Sequence, residues 1–167
     1  MLNYVLLGIA ALLVGVDQLI KFWAEHSLAS VGSIPLIQDV FHFTYVQNFG
    51  AAFSTMQNQR FFLVGLTSVL LLIIFIVLVS KKLRSPWMTA SWALILAGGA
   101  GNLIDRVFRP GGYVVDMFDF CLIHFPVFNF ADICVCCGTI LLLIYVLFFE
   151  RKESSKFAIR QEVKRHE

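Results

Sequence analysis

Four long stretches of this chain consist almost wholly of apolar side chains, over residues 2–23, 61–80, 87–105 and 133–149. A helix needs ~17 to 25 such residues to cross the hydrocarbon of a bilayer, where a backbone must satisfy its own hydrogen bonds. The pattern therefore predicts an α-helical membrane protein with four transmembrane helices. Composition agrees: 59% of the 167 residues are hydrophobic and only 14% are charged, too apolar for a water-soluble fold. One integral membrane domain accounts for residues 1–167, with a charged tail over 151–167 expected to be flexible. The first run ends near the small residues Ser27-Leu28-Ala29, but no Lys or Arg precedes Lys21. A cleaved leader would begin with a basic segment, so this run is read as a retained helix.

The basic residues set an expected orientation. Lys81, Lys82 and Arg84 follow the second run, and Arg151, Lys152, Lys156, Arg160, Lys164 and Arg165 lie in the tail. The other side has only Arg60, Arg106 and Arg109, with Lys21 near its boundary. The positive-inside rule then places both termini in the cytoplasm and the two long connections outside, with Trp23 and Trp87 as interfacial anchors. The net charge of +2 arises in the tail, which suggests contact with anionic membrane lipids and no nucleic acid. Cys134, Cys136 and Cys137 lie among Ile and Leu and read as packing residues, while Cys121 stands alone.

The outer connections are too long for plain turns. Residues 35–43 and 43–48 read as extended strand up to a turn at Asn48-Phe49-Gly50, followed by Ala51-Ala52-Phe53. Arg109-Pro110-Gly111-Gly112 is a strong turn signal, and residues 113–120 are strand-like. Strands from both connections are expected to pair into a small extracytoplasmic β-sheet on the membrane surface.

Polar residues in the apolar runs have bland readings one by one. Asp17 and Lys21 are four apart and neutralise each other; Asn102, Asp105 and Arg106 share a helix face as an interhelical clasp; Asp132 is placed to cap the helix that starts at Ile133. Topology changes the weighting, because every one of these groups, with Asn48 and Asp116, falls near one depth at the outer surface. A single polar site explains that. Two carboxylates, Asp116 and Asp132, beside an Arg and several Asn amides suggest an acid/base dyad sharing one proton. No metal is expected there, since His26, His42, His124 and His166 do not lie at ligand spacing from these carboxylates, and no cofactor is called for.

Five motifs carry a resemblance: Asp17-Gln18-x-x-Lys21, Asn48-x-Gly50-Ala51-Ala52-Phe53, Gly101-Asn102-x-x-Asp105-Arg106, Val114-Val115-Asp116 and Phe128-Asn129-x-Ala131-Asp132. Together and in this order they resemble the bacterial lipoprotein signal peptidases, or signal peptidase II, family A8 of the aspartic peptidases. The resemblance implies an endopeptidase of the bacterial inner membrane that removes the signal peptide from prolipoproteins, cutting before a cysteine that carries diacylglyceryl. It implies Asp116 and Asp132 as catalytic dyad, Asn48, Gly50, Asn102, Arg106 and Asn129 around the scissile segment, and Asp17, Lys21 and Asp105 as supports. Sensitivity to globomycin-type inhibitors is also implied. The one departure noted is Met117, where a Phe is common after the first aspartate.

Two other classes share some of these features. A membrane phosphotransferase is suggested loosely by Gly112-x-x-x-Asp116 and Asp119, with the wrong aspartate spacing. A proton pathway would share buried carboxylates, but it needs polar groups at several depths.

Overall fold

The computed structural model describes residues 2–50, 59–80, 82, 83 and 85–149. Helices dominate: α1 (Leu2–Leu28), α2 (Arg60–Val79), α3 (Pro86–Phe108) and α4 (Phe130–Phe148). Strands β1 (Ser33–Ile37) and β2 (Phe41–Asn48) join α1 to α2, and β3 (Val114–Asp119) joins α3 to α4. All three strands form one antiparallel sheet in the order β1-β2-β3. Leu12, Phe61, Leu72 and Leu147 are among many large apolar side chains left exposed, a surface suited to lipid and not to water. The protein is a multi-pass membrane protein.

Among the described residues three helices are long and apolar enough to cross a membrane, α1, α2 and α4. The expectation of four spans meets a different helix at α3, which carries the buried residues Thr89, Ser91, Ala97, Gly98, Gly101 and Asp105. The reason lies in packing. α3 touches α1, α2 and α4, so small and polar residues occupy positions that face protein. Its hydroxyls are spent locally, Thr89 Oγ1 donating to the Ser85 carbonyl and Ser91 Oγ to that of Trp87.

α1 runs five residues past its expected end at residue 23. At 1.5 Å per residue its length is about 40 Å, more than the ~30 Å of hydrocarbon. Ala24 and Leu28, both fully buried, pack against Tyr113, Val115 and Met117. Tertiary packing carries the helix onward past the expected end of the apolar run.

The sheet also departs from expectation at one point. Residues 35–43 are not one extended segment: β1 and β2 form a hairpin about a turn in which Asp39 takes φ 59°, a conformation Asp tolerates. The expected strand over 113–120 appears as β3, preceded by a turn in which Gly111 and Gly112 adopt φ 76° and 75°. Residues 51–53 and the tail lie outside the described residues. α1 thus supports β3 from beneath while the β2–β3 pairing brings Asn48 opposite Val114.

Candidate active site

Three helices and two strands deliver polar groups to one place. β3 presents Asp116, the entrance of α4 presents Asn129 and Asp132, the end of β2 presents Asn48, α1 presents Asp17 and Lys21, and the last turns of α3 present Asn102, Asp105 and Arg106. All ten residues singled out in the sequence, including Gly50, belong to one connected network of hydrogen bonds and ion pairs.

The three asparagines are each oriented by a partner whose role is fixed. Asn48 Oδ1 accepts the Gly50 N–H at 2.9 Å, so its amide NH2 faces Asp116 Oδ2 at 3.0 Å. Asn129 Oδ1 accepts the Asp132 N–H at 3.0 Å, which turns its NH2 to Asp116 Oδ1 at 2.6 Å. Asn102 Oδ1 accepts from Lys21 Nζ at 2.9 Å and from Asn129 at 3.0 Å, which leaves its NH2 to Asp132 Oδ1 at 2.8 Å. Asp132 Oδ2 takes the Asn129 backbone N–H at 3.1 Å. Every oxygen of the two carboxylates therefore has an amide donor.

Asp132 is not the helix cap expected from the sequence. Asn129 is the N-cap of α4, and Asp132 is the third helical residue, closing a capping box with it. Capping therefore occupies one carboxylate oxygen, while the other turns toward Asn102. Asp116 is only 2% exposed, whereas Asp132 and Asn102 are half-buried, so the pair has a deep member and an open one.

Among the described residues no Lys or Arg forms an ion pair with Asp116 or Asp132. Arg106 acts on both carboxylates electrostatically, but its hydrogen bonds go to the Gly50 carbonyl at 2.7 Å and the Asn102 carbonyl at 3.3 Å. Burial, and next the neighbouring Asp132 charge, push the Asp116 carboxyl up to about 7, against the Asn48 and Asn129 hydrogen bonds that lower it. Two linked carboxyls, one of them titrating near neutrality, are equipped to exchange a proton.

Beneath this layer lies a layer of full charges. Lys21 Nζ is 3.0 Å from both Asp17 Oδ2 and Asp105 Oδ2, and all three side chains are essentially inaccessible. Each carboxylate also holds backbone: Asp17 Oδ1 accepts the Ala131 N–H at 2.9 Å, and Asp105 Oδ2 accepts the Val115 N–H at 3.2 Å. They therefore fix the residues adjacent to Asp132 and Asp116. Gly101 is required at this seam, because a Cβ there would collide with Asp17 Oδ2.

Sequence reasoning assigned no role to four supporting residues. Gln18 Nε2 donates to Asp17 Oδ2 and the Gly101 carbonyl. Arg109 pairs with Asp105 at 2.9 Å and Glu25 at 2.6 Å, and Tyr113 Oη donates to Glu25 at 2.9 Å. The i, i+4 spacings Lys21–Glu25 and Asp105–Arg109 were the available signal, since they continue the same two helix faces. Arg60, at the start of α2, donates to the carbonyls of Arg106 and Val107 and closes the end of α3.

Comparison with known proteins adds the chemistry. Residues 9–148 match the family model described as signal peptidase (SPase) II. The lipoprotein signal peptidase of Clostridioides difficile (strain 630) is 44% identical over 144 residues, covering 86% of this chain and 95% of the relative. That of Brevibacillus brevis is 40% identical, with the same coverage. Two solved structures, each described as a bacterial membrane enzyme, align with TM-scores of 0.75 and 0.73 at 30% and 29% identity. They cover 86% and 87% of this chain, and 87% and 94% of their own chains. Apolar helices, small sheet and family match define the class as a membrane peptidase, a hydrolase. The chain belongs to the signal peptidase II family, whose members process lipoproteins by removing their signal peptides.

Proposed function

We propose that the protein is an aspartic endopeptidase that cleaves the signal peptide from diacylglyceryl-modified prolipoproteins, on the N-terminal side of the lipidated cysteine, with Asp116 and Asp132 as its dyad. The observation that carries the reading is the pair itself: two carboxylates held by the same Asn102–Asn129 amide pair, with no ion pair to either among the described residues. Asp116, protonated up to about pH 7, donates to the scissile carbonyl oxygen as Asp132 takes a proton from the attacking water. A tetrahedral diol results. Its collapse breaks the C–N bond, the proton held by Asp132 passes to the leaving amine, and a diol hydroxyl returns its proton to Asp116. Asn48, Gly50, Asn102, Arg106 and Asn129 surround the scissile segment; Asp17, Lys21 and Asp105 hold the frame.

The membrane arrangement belongs to the same proposal. α3, at 23 residues about 34 Å long, is a fourth span shielded by its neighbours. Both termini lie in the cytoplasm, and the site opens at the extracytoplasmic face of the inner membrane, where the acyl chains of a lipidated substrate end and its peptide begins. The sheet rests on lipid headgroups there, and globomycin-type inhibitors occupy the site. The purified protein, reconstituted in vesicles, is expected to cleave a precursor bearing diacylglyceryl-cysteine and to leave the same precursor unlipidated intact. Equal cleavage of both would remove the lipid requirement. Loss of cleavage on chelation of divalent ions would favour metal-assisted chemistry over the dyad.

A further inference from the structure

At the far end of the sheet from Asn48, three donors of different chemistry converge. His42 on β2 pairs directly across from Asp119 on β3, and Cys121 follows two residues later at the start of a 3-10 turn. Directly paired residues put their side chains on one face of the sheet, as do residues two apart on a strand. One ring nitrogen of His42, one carboxylate oxygen of Asp119 and the Cys121 sulfur all lie within 4.8 Å of one another. Sequence spacing hides this trio, since 77 residues separate His42 from Asp119 and Cys121 reads as isolated.

Internal bonding leaves the group unsatisfied. His42 Nε2 is buried without a hydrogen-bond partner, and His42 and Asp119 form no ion pair among the described residues. The carboxylate is oriented from outside the trio: Thr44 Oγ1 donates to Asp119 Oδ2 at 2.9 Å, as an outer partner of a metal ligand does. The Cys121 thiol makes one long contact, to the Asp119 carbonyl at 3.8 Å. Asp39 in the β1–β2 turn adds negative charge near Cys121. All three donor residues are half-buried, so an ion from solution reaches them.

We propose that His42, Asp119 and Cys121 form a binding site for a divalent transition metal of the zinc class, separate from the peptidase site. Nitrogen, sulfur and carboxylate donors together match the preferences of zinc, and three protein ligands leave a fourth tetrahedral position for water. With bonds of about 2.0 to 2.3 Å, donors around zinc sit about 3.3 to 3.8 Å apart, so the trio closes by at most about 1.5 Å on binding. Binding forms the metal–sulfur bond as the thiol proton leaves to solvent. The bound ion ties β2, β3 and the following turn together, three residues along β3 from Asp116. The proposal stands on these donors alone and does not depend on the peptidase reading.

Cobalt titration of the full chain, purified in detergent and stripped with chelator, tests it. The expected result is saturation at one equivalent with a thiolate-to-cobalt charge-transfer band, reversed by one equivalent of zinc. Replacing Cys134, Cys136 and Cys137 together leaves the band, Cys121→Ser abolishes it, and His42→Ala weakens cobalt binding at least tenfold. Zinc raises the melting temperature of the wild type and of neither single variant. Absence of a saturable band in the wild type, or its survival in Cys121→Ser, overturns the proposal. Should Cys121→Ser fail to fold, His42→Ala decides the matter, and unchanged cobalt affinity in that variant overturns it equally.

Discussion

Lys21 and Asn129 are both fully buried, and each donates a hydrogen bond to Asn102 Oδ1, yet the carboxylates they serve face opposite electrostatics. Asp17 and Asp105 touch the Lys21 ammonium directly, whereas the hydrogen bonds to Asp116 and Asp132 among the described residues come from neutral amides. A cation at 3 Å favours the charged form of a carboxylate strongly; an amide donor favours it less, and burial with a like charge opposes it. Asn102 is the divider. It takes the Lys21 charge on its oxygen and shows Asp132 an N–H, so under the proposed mechanism the ionic layer fixes positions without suppressing proton exchange in the layer above. Arg106 likewise spends its hydrogen bonds on the Gly50 and Asn102 carbonyls and acts on Asp116 and Asp132 through space.

This division predicts separable effects. The largest falls on the amide layer: Asp116→Asn and Asp132→Asn should each lower turnover of a lipidated precursor by on the order of a thousandfold, because an amide does not shuttle the proton. Melting curves should show both variants folded. Near-normal turnover in either would remove that residue from the dyad. In the ionic layer, Lys21→Met leaves Asp17 without its cation and Asp105 with Arg109 alone, and loss of one partner of a buried ionic group costs about 3 to 5 kcal/mol. Its signature is a large fall in melting temperature with activity lost in proportion to folded protein. A variant as stable as the wild type would show that the ionic layer supports nothing.

How far was this legible beforehand? Apolar length located α1, α2 and α4 within a few residues, because lipid imposes the same demand on every exposed position. It described α3 least well, since a helix enclosed by others answers to packing. Residue types and depth gathered the ten site residues, yet bonding partners were hidden: nothing in the spacing shows that Arg106 reaches Gly50, or that Asp17 on α1 holds the Ala131 amide of α4. These are contacts between segments more than fifty residues apart. The Asp39 turn was missed for a local reason, since Gln38-Asp39-Val40 lacks the Gly or Pro that usually marks a hairpin.

Asn102 sits on the boundary and should show both kinds of loss. Read as a substrate contact alone, it would be replaceable without harm to the fold. Its bonds to Lys21, Asn129 and Asp132 argue otherwise: Asn102→Ala should cost about 1 to 3 kcal/mol by leaving buried partners unsatisfied. Inhibitor or substrate binding should weaken as well. An unchanged melting temperature would return Asn102 to a purely substrate-facing role.

The smallest effect is the most specific to the amide layer. Asp116 must hold a proton to act as acid, and its carboxyl is pushed up to about 7, so activity should fall as pH rises through that value. Asn48 lowers this proton affinity by donating to Oδ2, a bond that favours the ionised form. Removing the donor in Asn48→Ala raises the affinity, so the alkaline limb of the pH–rate profile should move upward. A hydrogen bond to a charged group contributes about 1.5 to 3 kcal/mol and a pH unit corresponds to about 1.4 kcal/mol. Water replaces part of the donor at this half-buried residue, so the shift should be up to about one unit. Because Asn48 also orders Gly50, the rate at the optimum should fall too, but only the limb position reports on the proton. A limb that stays in place or moves to lower pH would mean that Asp116 is not the acid.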